Sequence, residues 1–340
     1  MNNEVRFTHG TRIVYANRAP GEFHSIEGIF RAIAEALPEG FAAQTVAAPV
    51  RGAHLRPILR NIKWAGGLAT DGLVHVTGDI HYAVLGVRRK AVVLTIHDLR
   101  FIEEAQGIKR FLFWWLWLYL PCLRANRVTV ISEFTKARLL ALCPVKPAKV
   151  RVIPDCVAPE FKATPKAWPS SQPRLLLVGT TGNKNLNRVA EACIGLAVQL
   201  SILGELTASQ RDYLDRHGLE YDNQWDLPKK KVVAIYEACD LVVFVSTYEG
   251  FGLPILEGQA VGRPVLTSDI SPMREVAGEG ALKVDPFDVA AIRSGLTRLI
   301  ADAELRSRLV REGFCNVERY SAKSVAAQYA EVYRELLDAR

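Results

Sequence analysis

The chain has 340 residues, of which 49% are hydrophobic, and its formal net charge is +7 at pH 7. This length suggests two domains, and the apolar content is enough for a buried core in each. The positive charge suits an anionic small ligand, an anionic membrane surface or nucleic acid. No RNA- or DNA-binding signature accompanies the charge, so nucleic acid is not expected as a partner.

The cysteine spacing and the N-terminal sequence indicate a reducing compartment. The six cysteines are scattered without a CxxC pair, which argues against a disulfide framework and against a zinc site. The first residues include no secretory apolar region, and no apolar run reaches the ~20 residues that cross a bilayer. We therefore expect a cytoplasmic protein, and peripheral attachment to the inner face of the membrane stays open.

In the first half of the chain, short apolar strands alternate with helical stretches. Ser25 is a favourable N-cap for an amphipathic helix that extends to Leu37. Strands that alternate with helices predict a parallel sheet covered on both sides. The predicted strands are Arg12–Ala16, Phe41–Ala47, Leu73–Val76, Ala91–Thr95, Arg127–Ile131 and Lys149–Ile153.

The segment Phe111–Leu123 (FLFWWLWLYLPCL) is apolar on every face, with Lys109 and Arg110 before it and Arg124 after it. It is too short to cross a bilayer. Two interpretations stay open. The segment is either a buried helix of the first domain or an interfacial helix whose tryptophans rest at the lipid headgroups.

The stretch from Lys162 to Pro173 (KATPKAWPSSQP) is polar and rich in proline, which predicts a linker. We place the first domain at residues 1–162, the linker at 163–173, the second domain at 174–320 and a final helix at 321–340. The alternating pattern restarts after the linker. Strands are predicted at Arg174–Val178, Val198–Leu203, Leu241–Val245 and Pro264–Thr267, and helices at Leu186–Leu196, Val232–Ala238, Asp288–Ile300, Ala303–Phe314 and Ser321–Leu337.

The stretch YEGFGLPILE, residues 248–257, follows the continuous apolar strand Leu241–Val245. Its two glycines allow the backbone to approach a ligand closely, and Pro254 fits the first position of a helix. Glu249 and Glu257 thus flank a glycine loop at a helix N-terminus. Free backbone N–H groups there favour an anionic or hydroxyl-rich ligand, and ligands of open α/β sheets bind at the carboxyl ends of strands.

The segment VGTTGNKNL, residues 178–186, also follows a predicted strand and opens a helix. Two glycines bracket a turn whose backbone amides can face phosphate oxygens, and Lys184 can supply a positive charge to them. The Gly-x-Gly-x-x-Gly fingerprint of dinucleotide binding is missing, which counts against a nicotinamide enzyme.

Two segments that end first-domain strands contain histidines. Thr95–Leu99 (TIHDL) includes His97, whose neutral imidazole can hydrogen-bond a hydroxyl group, with Asp98 orienting the ring. The segment from Leu73 to His81 (LVHVTGDIH) offers Asp79 and His81 as further candidates. No helical His-x3-His pattern accompanies these residues, so a metal site is not expected.

The Glu-x7-Glu spacing filled with Gly-Phe-Gly-Leu-Pro resembles the donor-site signature of the family 4 retaining glycosyltransferases, and the likeness continues downstream to Val276. Residues 178–186 resemble the diphosphate loop of that family, although Asn183 stands where an arginine is common. TIHDL resembles its His-Asp segment, and Gly21–Ser25 is a candidate for its first-domain loop over the phosphates. The resemblance covers most of residues 73–290. It implies the α/β GT-B fold, in which two Rossmann-like doubly wound domains face each other across a cleft and the final helix crosses back to the first domain.

The resemblance also implies an activity, namely retaining transfer of a hexose of the mannose or glucose type from a GDP- or UDP-linked sugar to an acceptor hydroxyl, without a metal or other cofactor. The setting would be bacterial polysaccharide or glycolipid synthesis, with a sugar or lipid-linked sugar as acceptor. The implied catalytic residues are Glu249, His97 and Lys184. The implied donor-binding residues are Glu257, Gly179, Thr180, Thr181, Asn183, Gly250, Phe251, Gly252 and Leu253, and the acceptor-side candidates are Asp98, Asp79 and His81. Two other functions stay open: a sugar-nucleotide epimerase of the same fold and a non-catalytic nucleotide-sugar-binding subunit.

Overall fold

The computed structural model describes residues 11–20, 25–68, 72–88, 91–169 and 171–338. The candidate loop at Gly21–Ser25 lies almost wholly outside these residues. Contacts divide the chain into two units, of which unit 1 is Met1–Cys156 with Ala322–Arg340 and unit 2 is Val157–Ser321. In the described ranges each unit has one six-stranded parallel sheet flanked by helices, and the predicted α/β class is confirmed.

The sheet of unit 1 has the strand order β2-β1-β3-β4-β5-β6. Its inner strands β3 and β4 are mostly apolar and are buried along their whole length, as is typical of parallel strands covered on both faces. The order reverses between β1 and β3, so their carboxyl ends form the topological switch point of this sheet. The strands are β1 (Thr11–Asn17), β2 (Phe41–Ala47), β3 (Leu73–Val76), β4 (Ala91–Ile96), β5 (Arg127–Val130) and β6 (Val150–Val152).

The helices of unit 1 pack on this sheet, and the last one comes from the C-terminus of the chain. That helix contacts the first helix of the unit, and its Tyr333 hydroxyl lies 2.8 Å from Nδ1 of the buried His75 on β3. The α-helices of the first 156 residues are α1 (Ser25–Glu35), α2 (Leu55–Gly66), α3 (Arg100–Glu103), α4 (Gly107–Phe113), α5 (Leu120–Arg124) and α6 (Glu133–Leu142).

The apolar segment of unit 1 forms α4, a π-helical stretch from Trp114 to Tyr119, and α5. One side of this segment packs in the hydrophobic core of unit 1, because Trp117 and Leu118 are buried. Ile108, Phe111, Leu112 and Trp115 are exposed at a spacing that places them on one helix face. The segment is therefore neither wholly buried nor wholly exposed. No helix within the described residues is long and apolar enough to cross a membrane.

The sheet of unit 2 has the strand order β12-β11-β10-β7-β8-β9, with all pairs parallel. Since β7 is the first strand of the unit and β10 the fourth, the order reverses between them and their carboxyl ends form its switch point. The strands are β7 (Arg174–Val178), β8 (Gln199–Leu203), β9 (Tyr221–Gln224), β10 (Leu241–Phe244), β11 (Val265–Ser268) and β12 (Leu282–Val284). The remaining helices of the chain are α7 (Leu186–Cys193), α8 (Ala208–Arg216), α9 (Lys229–Ala238), α10 (Leu253–Ala260), α11 (Met273–Ala277), α12 (Val289–Ala301), α13 (Ala303–Glu318) and α14 (Ala322–Asp338).

The boundary between the units lies earlier than the sequence suggests. The division falls after Cys156, and the stretch interpreted as a linker belongs to unit 2. Buried Arg263 donates to the Thr164 carbonyl at 2.8 Å, and Lys166 forms an ion pair with Asp240 at 2.5 Å. These contacts hold the polar, proline-rich stretch on unit 2, which its composition alone does not reveal.

Candidate functional site

In unit 2, the two glycine-containing loops lie side by side, because one follows β7 and the other follows the neighbouring strand β10. Thr247 N donates to the Asn183 carbonyl at 2.8 Å, and the Asn183 side chain donates to the Tyr248 carbonyl at 2.9 Å. The sheet order thus joins two motifs that are about 65 residues apart in the sequence. Both stand at the switch point, where ligands of open α/β sheets bind.

Asn185, at the end of the loop after β7, connects that loop to the neighbouring segments. It adopts the left-handed conformation with φ 62° directly before α7, a conformation that asparagine tolerates better than most residues. Its buried side-chain amide donates to the carbonyls of Val245 and Pro286 at 3.0 and 2.7 Å. Asn185 therefore fixes the turn that presents Lys184.

Lys184 and Glu249 form an ion pair between the two loops. The Lys184 ammonium lies 2.7 Å from Glu249 Oε1, and the two side chains are 21% and 15% exposed. The same ammonium lies 4.8 Å from the centre of the Phe244 ring. Gly179 allows this placement, because its φ is +88° and a Cβ there would lie 2.8 Å from Lys184 Cγ. The site thus holds one cation and one carboxylate in contact, with a face open to solvent.

Glu257 lies on α10, and both of its carboxylate oxygens are engaged. Tyr236 on α9 donates its hydroxyl to Oε2 at 2.6 Å, and Lys229 at the start of α9 lies 3.4 Å from Oε1. Burial, with the nearby Glu257 carboxylate, raises the pKa of Tyr236 well above its ordinary value, so the phenol stays a donor. Because a carboxylate has about four lone-pair sites, Glu257 keeps the capacity to accept bonds from a ligand.

The loop between the two glutamates offers backbone groups, rather than side chains, to a ligand. The Phe251 ring is buried and packs edge-on against Tyr320, with 5.7 Å between ring centres. Gly252 has φ +121°, a conformation that favours glycine, and the helix begins at Leu253. Pro254 has no N–H, and the Ile255 amide donates to the Gly252 carbonyl at 3.0 Å, so the backbone amides before Pro254 are the ones suited to an oxygen-rich ligand.

The threonines of the first loop bond within unit 2. Thr180 donates its hydroxyl to the Glu205 carbonyl at 2.6 Å, and Thr181 donates to the Asn183 side chain at 2.9 Å. Gln210 on α8 donates to the Thr180 carbonyl at 2.8 Å. The hydroxyls therefore shape the loop, and its backbone is the part that remains suited to a ligand.

In unit 1, His97 follows β4 and both of its ring nitrogens are engaged. Nε2 lies 2.9 Å from the Thr77 carbonyl, and Nδ1 lies 3.6 Å from Oδ2 of Asp155. Burial by itself lowers the pKa of His97, but the Asp155 carboxylate outweighs it, and the pKa rises to about 9. The raised pKa favours the imidazolium form, whereas the sequence suggested a neutral imidazole. The carboxylate beside the ring belongs to Asp155, whereas the sequence suggested Asp98.

The acceptor-side candidates differ in their surroundings. His81, which the sequence suggested for the acceptor side, is buried, and its Nδ1 donates to the Trp117 carbonyl at 2.9 Å, so its ring lies in the core of unit 1. Asp79 is exposed and pairs with Arg18 at 2.9 Å. Asp98 is exposed and accepts from the Arg100 amide at 3.1 Å, and partial loss of hydration raises its pKa.

A cavity of about 360 Å³ lies at the switch point of unit 1. Arg18 and Asp79, which form an ion pair, line it at the ends of β1 and β3. The Trp117 indole N–H donates to the Asp79 carbonyl at 3.0 Å. Arg51 and Tyr82 also line the cavity, which therefore combines aromatic surface with charged donors and acceptors.

A larger cavity of about 620 Å³ lies in unit 2, beside Trp168 and near the amino ends of β10 and β11. Its polar groups have structural partners, since Arg263 donates to backbone carbonyls and Lys166 pairs with Asp240. It is remote from the switch point, so we do not place the site there. Within the described residues, no group of three or more His, Cys, Asp or Glu side chains is arranged to hold a metal ion.

Sequence reasoning gave no role to four residues of these sites: Tyr236, Lys229, Asn185 and Asp155. Asn185 lies inside residues 178–186, next to Lys184, which received a role, whereas Asp155 lies just after the predicted strand Lys149–Ile153. Tyr236 and Lys229 lie on a helix that carried no motif, 21 and 28 residues from Glu257. No local pattern links them to it.

Two parallel Rossmann-like sheets, with a basic glycine loop and an acidic glycine loop at one switch point, define a protein of the GT-B class. The model of Glycosyltransferase Family 4 matches residues 13–161, and the model of Glycosyl transferases group 1 matches residues 160–314. The chain therefore belongs to the family 4 glycosyltransferases.

Individual relatives are similar over a limited stretch. O-antigen chain mannosyltransferase B of Escherichia coli is 33% identical over 110 residues, which cover 32% of this chain and 29% of the relative. D-inositol 3-phosphate glycosyltransferase of Corynebacterium urealyticum is 36% identical over 111 residues, which cover 32% of this chain and 26% of the relative. The matched stretch thus spans less than a third of these relatives.

Solved structures extend the likeness to nearly the whole chain. The Anabaena protein HepE, crystallised with UDP and glucose, has a TM-score of 0.74 and 15% identity, and the match covers 96% of this chain and 100% of that one. Sucrose-phosphate synthase of Thermosynechococcus elongatus has a TM-score of 0.76 and 16% identity, covering 97% and 100%. At this identity the likeness establishes the fold, and the predicted GT-B fold is confirmed.

Proposed function

We propose that this protein is a retaining glycosyltransferase that moves a hexose from a nucleoside diphosphate sugar to an acceptor hydroxyl. The observation that carries the proposal is the contact of Lys184 with Glu249 at the switch point of unit 2. An ammonium there suits a diphosphate, and a carboxylate beside it suits a sugar ring that gains positive charge. A related mannosyltransferase and a related fold crystallised with UDP and glucose support a hexose donor.

In this proposal Glu257 accepts hydrogen bonds from the ribose hydroxyls, and Tyr236 holds its carboxylate in place. The amides from Phe251 to Leu253 hold sugar hydroxyls or phosphate oxygens. Lys184 stabilises the negative charge that develops on the departing diphosphate, a task that a divalent ion performs in other enzymes. We therefore propose that transfer needs no metal.

On the acceptor side, we propose that the cavity at the switch point of unit 1 binds the acceptor sugar. Its ion pair of Arg18 and Asp79 offers donors and acceptors to hydroxyls, and Trp117 and Tyr82 offer apolar ring surface. Asp79→Asn is then expected to raise the acceptor KM with little effect on the donor KM. An unchanged acceptor KM would contradict this assignment.

A panel of UDP- and GDP-linked hexoses tests the donor. The expected result is thermal stabilisation by one nucleotide sugar, followed by transfer from it to an added sugar or lipid-linked sugar. Release of the nucleoside diphosphate with retained anomeric configuration in the product supports the transferase. Epimerised or hydrolysed donor without any acceptor would favour the epimerase, and binding without turnover would favour a non-catalytic subunit. Activity is expected to survive EDTA, whereas loss that a divalent ion restores would refute metal-independent transfer.

We further propose that the exposed apolar face of α4 and the start of the π-helical stretch, formed by Ile108, Phe111, Leu112 and Trp115, rests on an anionic membrane surface. These side chains are between 43% and 79% exposed. Lys109 and Arg110 are exposed beside them, so the apolar stripe has a cationic flank that complements anionic lipid headgroups. The acceptor would then be a lipid-linked sugar.

Co-sedimentation with vesicles of anionic and of zwitterionic lipid tests this contact. Phe111→Ser and Trp115→Ser are expected to reduce binding to anionic vesicles. Trp114 and Trp117 are unsuitable sites, because they donate to the carbonyls of Leu142 and Asp79. Leu55→Ser is the matched control, since Leu55 is an exposed leucine on another helix of unit 1. No binding of the wild type at low salt would refute the contact.

A further inference from the structure

His97 stands between an oxygen acceptor on each side. Its Nε2 is 2.9 Å from the Thr77 carbonyl and its Nδ1 is 3.6 Å from the Asp155 carboxylate, with both side chains below 10% exposed. A carbonyl oxygen only accepts, so Nε2 must carry a hydrogen. An ionised carboxylate also only accepts, which favours a hydrogen on Nδ1 as well. The arrangement thus suits an imidazolium that donates from Nε2 and pairs with the carboxylate beside Nδ1.

The two acceptors come from different parts of the sheet of unit 1. Thr77 follows β3, whereas Asp155 follows the edge strand β6 and lies beside the loop that ends β4. The Phe30 ring of α1 approaches the imidazole edge-on, with 6.1 Å between ring centres. Three elements therefore enclose the ring and leave it little freedom to rotate.

We propose that Asp155 is a positioning residue, which together with the Thr77 carbonyl holds His97 in one orientation as a cation. The kinetic part of this inference rests on the proposed function, and the structural part does not. A ring held in this way has no lone pair to offer. It cannot act as a general base, and what it presents to a substrate is a fixed positive charge.

The charged and titratable groups around His97 come from several elements. Asp155 is in contact, Asp79 lies on the loop after β3, and Asp98 is the next residue in the chain. The neighbouring histidines are His75 on β3 and His81 after that strand. Burial favours the neutral form of the two neighbouring histidines, so they add little positive charge. The carboxylates therefore dominate the field at His97.

A titration of the ring by NMR tests the structural part. The full-length protein is labelled with ¹⁵N-histidine, and the His97 signals are assigned with His97→Gln. In the wild type both ring nitrogens are expected to be protonated near neutral pH and to titrate near pH 9. In Asp155→Asn the ring is expected to titrate at or below the ordinary value of about 6.5. A neutral His97 in the wild type would overturn the proposal, as would an unshifted titration in Asp155→Asn.

The pH profile of transfer tests the kinetic part. The kcat of Asp155→Asn is expected to fall as the pH rises through neutrality, whereas the wild type holds its rate until His97 titrates. Asp155→Glu is expected to restore part of the wild-type profile. Asp240→Asn is the matched control, because Asp240 is also a buried, ion-paired aspartate but lies in unit 2. It is expected to lose stability and keep the wild-type profile.

These measurements separate the two proposals. A shifted NMR titration with a wild-type pH profile in Asp155→Asn would overturn the positioning role. If the wild type transfers no sugar from any donor, the proposed function fails, and the NMR titration alone then decides whether Asp155 holds His97.

Discussion

Lys184 Nζ lies 2.7 Å from Oε1 of Glu249, so the cation of one loop is neutralised by the carboxylate of the next. A diphosphate that binds the first loop must compete with Glu249 for this ammonium. The pair therefore links the strength of nucleotide binding to the residue that we propose faces the sugar.

The first prediction follows from this competition. Lys184→Ala is expected to weaken binding of UDP or GDP roughly tenfold or more, since a charge-assisted phosphate contact contributes about 1.5–3 kcal/mol. Glu249→Gln is expected to strengthen the same binding, because it releases the ammonium. Calorimetry with the free nucleotides measures both. Lys166→Ala, which breaks a different ion pair in the same unit, should leave the affinity unchanged. Weaker binding in Glu249→Gln would refute the competition.

The second prediction separates the two glutamates. Glu249→Gln is expected to lower kcat strongly with a modest change in donor KM, because its contact strengthens only in the transition state. Glu257→Gln is expected to raise donor KM and to weaken binding of the product nucleotide. Steady-state kinetics on both variants decide the matter, and identical effects from the two substitutions would contradict the division of roles.

The third prediction concerns Tyr236, which donates to Glu257 at 2.6 Å. Tyr236→Phe keeps the ring and removes the hydroxyl, so Glu257 loses a hydrogen bond of about 1–2 kcal/mol. Donor KM is expected to rise roughly 5- to 30-fold with kcat almost unchanged. Tyr329→Phe is a control for loss of a buried phenol, since Tyr329 lies in unit 1. A fall in kcat without a rise in donor KM would contradict a role of Tyr236 in donor binding through Glu257.

The fourth prediction uses two glycines with similar backbone conformations. Gly179 has φ +88° and would place a Cβ against Lys184, whereas Gly195 has φ +75° and open space at its Cβ. Both alanine variants are expected to lose about 1 kcal/mol of stability from backbone strain. Only Gly179→Ala is expected to lose nucleotide affinity as well, because it displaces Lys184. Calorimetry and denaturant unfolding of both variants test this, and equal nucleotide affinities would count against it.

The fifth prediction concerns the dependence of the stability of unit 1 on pH. Burial, with the charge of His97, lowers the pKa of His75 to about 3, so its contribution is lost as the pH falls from about 6.5 towards that value. The pKa of His97 is raised to about 9, so its contribution is complete below about 6.5 and is lost as the pH rises to about 9. The free energy of unfolding, measured by denaturant titration, should therefore fall both below and above a pH of about 6.5. His54→Gln, at an exposed position, should keep this profile, and a profile without the alkaline fall would exclude the cationic His97.

The sequence by itself determined the fold class and the two loops of the donor-side site. Continuous apolar runs such as Arg174–Val178 mark strands that are buried on both faces, and glycines directly after them mark turns, so these features are local. The sequence did not predict the polar strand Tyr221–Gln224. This strand lies at the edge of the sheet and has a neighbouring strand on one side only, so its residues need not be apolar.

Only the tertiary structure decided which residues meet. The order of the strands places β10 beside β7 and thereby joins Glu249 to Lys184. It also brings Asp155, which follows β6, to His97, which follows β4. Periodicity along the chain shows that a residue lies in a strand or a helix, but it carries no information about the neighbour that the sheet assigns. The partners of Glu257 and His97 therefore came from long-range packing alone.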